Sequence, residues 1–447
     1  MENTGKQSLT EFARSSPLLR IILIGFLVLL LQMPISMIRG VIGERQMRRQ
    51  EATEDITSKW GKQQIIVGPL LTVPYLVRIS ETGKDGSVIT HTETRCANFL
   101  PEDLHSSGKI DCEIRYRGIF KVPIYRMTLS VKGRFPQPDF SDWGIDAGDI
   151  LWDRAHLTVR VSDAHGISNR ALLIWNGREI GFQPGAGEFG GQNAGIHVSL
   201  KSCLNADIYP FSYQLMLNGS QGTFFVPFGQ DTTVEIDSNW STPSFQGNWL
   251  PSQRTVNTDG FQATWNIPFL GRNYPQRWRT GSGVEDAISA SVFGVHFVTP
   301  VDHYRMAERS VKYQILFLVL TFVALWLFEI LIHVRIQSIP YLFVGAGMCL
   351  FYLLELSLAE HIGFVVAYVC ASVAVVALVT AYCVAVLKGV KHAAIIGTVI
   401  SLLYGYLYIL LMNQDYALLI GSLGLFVILA TVMYLTRKID WYSFKGS

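Results

Sequence analysis

Gly185, Gly187 and Gly190 stand at the spacing of a dinucleotide-binding fingerprint, with Asp207 downstream where an acid would meet a ribose hydroxyl. That chemistry requires a helix whose N-terminus points at the pyrophosphate. Here Pro184 precedes the glycines, Gly191 and Gly195 follow, and no apolar-periodic helix begins, so the segment reads as a glycine-rich loop between strands. Asp163 and His165 are the nearest approach to a metal-ligand pair among ten scattered histidines, and they lack the further His or Cys at short spacing that such sites use. Neither a Gly-x-Ser-x-Gly elbow nor a Walker loop is present, while a Ser-His-Asp set assembled only in space leaves no trace in spacing. No catalytic residue, cofactor or metal is expected.

Three further groups carry possible chemistry. The stretch from Asp139 to Asp153 is acid-rich, and a glycosidase would need two of its carboxylates about 5 to 9 Å apart in a cleft; solvated turn residues explain it more simply. Trp240, Phe245 and Trp249 lie in a stretch rich in Pro, Gly and Ser that reads as an exposed loop. They form a candidate binding loop whose rings would stack on sugars, against the plainer reading that large aromatics plug a core. Glu329 and Glu355 fall inside apolar runs, where a charge at mid-bilayer costs roughly 2.5 to 3.5 kcal/mol. Both sit toward the ends of their runs, Glu329 with His333 one turn away and Glu355 at a depth within reach of Lys312, so structural anchoring is expected of them.

The elements that hold these residues fall into two classes. A helix crosses a bilayer with about 20 apolar residues, and six runs meet that length: Leu19 to Ile38, Ile315 to Val334, Ile339 to Leu358, Gly363 to Leu387, Ala393 to Met412 and Tyr416 to Leu435. The first reads as an uncleaved signal anchor, because Arg39, Glu44 and Arg45 follow it without a small-residue cleavage pattern. Arg335, then Lys388 and Lys391, then Arg437, Lys438 and Lys445 occupy alternate short segments, whereas the intervening loops carry Glu360 and Asp415 without Lys or Arg. The positive-inside bias then makes both termini cytoplasmic and the large middle segment periplasmic. Arg45, Arg48, Arg49, Arg305, Arg309 and Lys312 pull the other way, partly offset by Lys6, Arg14 and Arg20.

Between about residues 62 and 300 the apolar period is two, which marks strands with one buried face. Cys112, Ile114 and Tyr116 alternate with charges, Leu157, Val159 and Val161 with Thr158, Arg160 and Ser162, and Phe261, Ala263, Trp265 and Ile267 with Gln262, Thr264 and Asn266. Asn176-Gly177 predicts a hairpin, and Asn218-Gly219 the start of another turn. The fold class is therefore a membrane protein with an all-α part of six helices and a large all-β extracytoplasmic domain, an antiparallel sandwich or two stacked sandwiches. The expected division is a tail over 1–18, the anchor over 19–38, a stalk or linker over 39–61 with helical propensity, the β-rich domain over 62–314, a five-helix block over 315–435 and a tail over 436–447.

Composition agrees. The 447 residues are only 16% charged, and mean hydropathy is +0.27. Between Arg39 and Lys312 there are 28 basic and 28 acidic residues, leaving 37 − 28 = 9 and 35 − 28 = 7 elsewhere, so the soluble segment has no basic field for a phosphate backbone and nucleic acid is excluded as a partner. Cys96, Cys112 and Cys203 allow at most one disulfide there, and Cys349, Cys370 and Cys383 lie in apolar runs.

At the end of the soluble segment, Thr299-Pro300-Val301-Asp302-His303-Tyr304 followed by Arg309, Lys312 and Tyr313 strongly resembles the CreD family of bacterial inner-membrane proteins. Met37-Ile38-Arg39 to Glu44-Arg45, Ser162-Asp163-Ala164 with Gly166-Ile167, Pro243-Ser244-Phe245 with Gly247 and Leu250-Pro251, Phe328-Glu329 and Asp440-Trp441-Tyr442 extend the resemblance nearly end to end. Ser241-Thr242 departs from it, since the family favours a proline beside the tryptophan. The resemblance implies a cytoplasmic-membrane protein of Gram-negative bacteria, linked to a two-component regulon, envelope integrity, colicin tolerance and the response to β-lactams. It implies no catalytic residues.

The reading that follows is a non-catalytic envelope protein: partners are the lipid bilayer and a periplasmic protein or cell-wall component, and Asp302, Tyr304, Arg309 and Lys312 are candidates for coupling the domain to the membrane. Its rivals are a transporter or lipid-handling protein using the buried glutamates, and a periplasmic carbohydrate-active enzyme.

Overall fold

The computed structural model describes residues 17–437 except 83–87, 188–194, 202, 205, 299–302, 333–335 and 388. Two compact units result, one made of Met1–Arg49 with Val301–Ser447 and the other of Gln50–Pro300.

Seventeen strands occur among the described residues. In chain order they are β1 Gln64–Thr82, β2 Val88–Phe99, β3 Asp103–Arg117, β4 Phe120–Pro136, β5 His156–Val161, β6 Leu172–Trp175, β7 Arg178–Gly181, β8 Gln183–Pro184, β9 Gly195–Ser199, β10 Ile208–Ser220, β11 Gly222–Phe225, β12 Asp231–Ser238, β13 Pro243–Gly247, β14 Gln253–Asn257, β15 Gly260–Pro268, β16 Arg277–Arg279 and β17 Phe293–Phe297. One sheet runs β13-β17-β11-β1-β5-β9-β8, with β2 on β1 and β16 on β2; the other runs β14-β15-β12-β3-β4-β10-β6-β7. Phe293 and Phe297 of the first sheet meet Trp265 and Tyr125 of the second, at ring-centroid distances of 5.7 and 5.2 Å. One continuous apolar core fills the space between them.

The sheets are mixed rather than purely antiparallel. β1 runs parallel to β11, and β12 parallel to β3. Side-chain alternation is the same in either direction, so periodicity carries no information on it. The long β1 serves two sets of neighbours. Gln64–Ile66 pair with β11, Leu71–Thr82 with β2, and the register toward β5 shifts between Val67 and Leu70. Gly68 at φ +132° and Pro69 occupy that irregularity, where a missing donor costs least.

Asn176-Gly177 makes the expected hairpin between β6 and β7, both residues having the positive φ of a type I′ turn (46° and 79°). Asn218-Gly219 does not turn: β10 continues through Ser220, and the chain passes to β11 of the other sheet through Gln221, at φ 64°. Gly219 serves a close approach instead, because a Cβ there would lie 2.3 Å from the hydroxyl oxygen of Tyr125. The β15 alternation holds, with Phe261, Ala263, Trp265 and Ile267 all buried, whereas β5 is covered on both faces: His156 and Thr158 are buried along with Leu157, Val159 and Val161. In β3 the strand forms but its end is not covered, since Ile114 and Tyr116 are exposed. Strand alternation does not say where the facing sheet stops.

A short helix, α2 (Glu285–Ala290), belongs to this unit. The remaining helices are α1 Pro17–Trp60, α3 His303–Ile332, α4 Ser338–Ile362, α5 Phe364–Leu387, α6 Val390–Met412 and α7 Ala417–Thr436. These six are long and apolar enough to cross a membrane. On α1 the buried residues Leu27, Leu31, Ile35, Ile38 and Ile42 form a stripe at helical spacing. Against it lies Gly345 of α4, where a Cβ would come within 2.3 Å of Leu31. Such small-residue contacts let helices approach where lipid supplies no hydrophobic driving force. α7 has no buried residue, as a helix bordered largely by lipid would.

Candidate functional site

In the β unit, most groups that looked reactive are held in structural contacts. Asp163 follows the strand β5 and caps a single 3-10 turn: its Oδ1 accepts from the His165 N–H at 3.1 Å and its Oδ2 from the Lys62 N–H at 2.8 Å. Burial raises its carboxyl, but these backbone donors, with the His165 ring, outweigh it and hold the acid below the ordinary range. The His165 side chain is exposed, and no group of three or more metal-ligating side chains exists among the described residues. Gly185 and Gly187 (φ 90° and 83°) follow the two-residue strand β8, and the next described element is the strand β9 rather than a helix; Gly190 and Gly191 lie outside the described residues.

Three acids of the acid-rich stretch are paired with arginines of the sheet. Asp139 and Asp142 both grip the guanidinium of Arg277, and Asp149 accepts from Arg78 at 2.7 Å. The N–H and hydroxyl of Ser141, then Arg277, hold Asp139 below the ordinary carboxylate range. A carboxylate clamped by arginine is a poor general acid, because its proton has been displaced in advance. Cys112 is equally unsuited as a nucleophile: burial pushes its thiol up to about 12. Cysteines 96, 112 and 203 are all free thiols.

The candidate binding loop is split. Trp240 turns inward, its Nε1 donating to the Val298 carbonyl at 3.2 Å and its ring against Phe297. Trp249 packs edge-on to Phe293, and its carbonyl accepts from the Trp265 indole at 3.1 Å. Both are half-buried supports of the core. Phe245 on β13 rests on Phe261 and Trp265 yet shows its other side to an open groove of about 570 Å³. Ser241, Thr242, Leu250, Arg254, Val256 and Val298 also line that groove. β13 ends one sheet and β14 ends the other, so the groove opens where both sheets stop. Leu250, Val256 and Val298 remain 69%, 45% and 41% exposed there.

In the helical unit three acids have three different environments. Glu329, near the end of α3, pairs with Arg20 of α1 and accepts from the Tyr341 hydroxyl and the Ile336 N–H, each at 3.2 Å. Its expected neighbour His333 lies outside the described residues. Glu360, at the end of α4, accepts from the Tyr304 hydroxyl at 2.9 Å and lies 3.6 Å from Arg45. Glu355, fully buried, accepts from the Ser310 hydroxyl at 2.8 Å. Lys312 is not its partner: it is exposed, two residues beyond Ser310 and so on the far side of α3.

The four coupling candidates also separate. Tyr304 and Arg309 use their side chains within the helical unit, Arg309 reaching Gln414 at 3.3 Å and the Leu410 carbonyl near the end of α6 at 3.4 Å. Asp302 lies outside the described residues. Within the β unit, a residue not singled out by spacing holds the end of α1 to the sheet: Trp60, last of α1, stands between the guanidiniums of Arg115 and Arg126, each 5.1 Å from its ring, and donates to the Tyr125 carbonyl at 3.1 Å. Asp55 on the same helix meets Arg117 at 3.2 Å. An indole at the boundary of a polar helix and the first strand was the available signal.

Comparison with known proteins agrees with the architecture. The family described as inner membrane protein CreD matches residues 16–442. The inner membrane protein CreD of Escherichia coli (strain K12) is 34% identical over 422 residues, covering 94% of this chain and 92% of that protein. Among solved structures, native yeast LTA4 hydrolase aligns over 44% of this chain and 29% of its own at 9% identity, with a TM-score of 0.16 that is too low for a shared fold. Six apolar helices, a β-rich unit between the first and second, and a match running almost end to end make this chain a member of the CreD family of inner membrane proteins.

Proposed function

We propose that this protein acts in envelope integrity as a non-catalytic, membrane-held receptor: its β unit faces the periplasm and takes an extended polypeptide segment into the groove between β13 and β14. The groove carries the reading. Two strands that each end a sheet leave main-chain donors and acceptors unpaired, and such an edge is a template for strand addition. Exposed Leu250, Val256 and Val298 beside it supply apolar contacts for alternate side chains of the incoming strand. A sugar is less well served, because Trp240 and Trp249 are turned into the core and Phe245 is the one aromatic ring lining the groove. The periplasmic side is supported by Glu360 at the end of α4 and Asp415 between α6 and α7, where the connections lack Lys and Arg, set against Lys391 and Arg437 at the opposite helix ends. A role in colicin tolerance or the response to β-lactams fits a receptor that senses or secures an envelope protein.

A photocrosslinking residue placed at Leu250 or Val256 of the full-length protein in cells tests this. The expected product is a discrete polypeptide adduct, absent when the crosslinker sits at Thr92 on β2 and lost when Val256→Asp is combined with the probe at Leu250. A glycan adduct would transfer the groove to a cell-wall ligand, and absence of any groove-specific adduct would overturn the receptor reading. A periplasm-dependent reporter fused near residue 200 tests the orientation separately.

A further inference from the structure

Among the acids inside the helical unit, Glu355 stands apart from Glu329 and Glu360, each of which faces an arginine. Glu355 is 0% exposed, and while its Oε2 accepts from Ser310, its Oε1 is enclosed with no partner among the described residues. One turn further along α3, on the face that carries Ser310, Gln314 is 2% exposed, and among the described residues neither its amide oxygen nor its amide nitrogen has a partner. On α6 the Tyr404 hydroxyl is also enclosed and has no partner among the described residues. Its ring lies 4.5 Å from that of Phe351, one turn before Glu355 on α4, and its carbonyl accepts from the Tyr368 hydroxyl of α5 at 2.7 Å.

The groups that bear electrostatically on this carboxyl are therefore the hydroxyls of Ser310, Tyr352, Tyr368 and Tyr404. The nearby basic residues are committed elsewhere: Arg309 to Gln414 and Leu410, Arg45 to Glu360, and Lys312 to the exposed side of α3. A buried carboxylate without a counter-charge is not tolerated in hydrocarbon, and the usual remedy is to neutralise it. Orphaned amide and hydroxyl groups on neighbouring helices are what a small charged guest would satisfy.

We propose that Glu355, Gln314 and Tyr404 form an intramembrane site that takes up one monovalent cation, a proton or a sodium ion. In the proton case an O–H bond forms at Glu355, cancelling its charge, and is broken when the proton returns to water. In the sodium case the carboxylate supplies the compensating charge and the Gln314 and Tyr404 oxygens supply further ligands. The site is independent of the groove on the β unit.

Difference infrared spectroscopy of the full-length protein in lipid nanodiscs tests it, in acid and alkaline buffer with sodium or choline as the added cation. For a proton site, a protonated-carboxyl band is present in neutral buffer, disappears in alkali, is indifferent to sodium and is lost in Glu355→Gln. For a sodium site, sodium but not choline removes the band, and bound radioactive sodium falls from about one per chain to none in Glu355→Gln. Tyr404→Phe keeps the ring on Phe351 and should shift the alkaline midpoint or weaken sodium retention, which provides the readout if Glu355→Gln fails to fold. A carboxyl signal at Glu355 that responds to neither pH nor sodium would overturn the proposal, as would Tyr404→Phe behaving as wild type in both measurements.

Discussion

Gly219→Ala should destabilise the β unit through a single contact. A Cβ at 219 would lie 2.3 Å from both Cζ and the hydroxyl oxygen of Tyr125. Tyr125 is fully buried, its hydroxyl donates to the Gly222 carbonyl at 3.0 Å, and its ring packs on Phe297. The ring must withdraw by about an ångström or more, which as overpacking costs about 1 to 3 kcal/mol. Losing the hydroxyl's partner and orphaning a buried carbonyl adds about 1 to 3 kcal/mol. The alanine returns about 0.4 to 1 kcal/mol by restricting the unfolded chain, since φ at 219 is not positive. The net loss is about 1 to 5 kcal/mol. Urea unfolding of the full chain in detergent micelles measures it through tryptophan fluorescence, because eight of the ten tryptophans lie in Gln50–Pro300. In a Tyr125→Ala background the same change should cost nothing or stabilise slightly. If Gly219→Ala alone leaves the midpoint unmoved, or costs as much without the tyrosine ring as with it, the close-approach argument is wrong.

Three other perturbations follow from the contacts. Trp60→Ala removes two cation–π contacts at about 0.5 to 1 kcal/mol each and a hydrogen bond worth about 1 kcal/mol, so a loss of about 2 to 3 kcal/mol is expected, with earlier protease cleavage near residue 60. Because the folded Asp163 carboxyl is held below its unfolded value, its contribution is present at neutral pH and lost as pH falls through the folded value; Asp163→Asn should lower stability at neutral pH and flatten the acid limb of the profile, and an unchanged acid limb would refute the cap. Arg20→Ala leaves the buried Glu329 without its cation and should cost about 3 to 5 kcal/mol, most of it recovered by adding Glu329→Gln; thermal aggregation in detergent reads both, and equal loss in the double variant would exclude the pairing.

The groove and the helical site were only partly legible in advance. By sequence Phe245, Trp240 and Trp249 read as one aromatic loop, yet the tryptophans face the core and, of the three, only the phenylalanine reaches the groove. Ring type marks burial capacity, not direction. Glu329 and Glu355 were recognisable as costly acids in apolar runs, but their difference rests on Arg20, 309 residues from Glu329, and on Ser310 and Gln314, which carry no signal in isolation. The parallel pairing of β1 with β11 and the continuation of β10 through Gly219 were likewise hidden, one because alternation has no direction and the other because a glycine at a turn and a glycine under a tyrosine ring look alike.

What the amino-acid order determined by itself was everything that depends on local chemistry: six lipid-length helices, a β-rich segment between the first and second, the Asn176-Gly177 hairpin and the family. These follow from hydropathy, period and turn preference, each a sum over adjacent residues. Tertiary structure alone decided which strands end the sheets, which acid lacks a cation and which aromatic faces outward. Those properties belong to partners far apart along the chain, and only folding sets the distances over which they exclude water, neutralise one another or leave a polar atom unpaired.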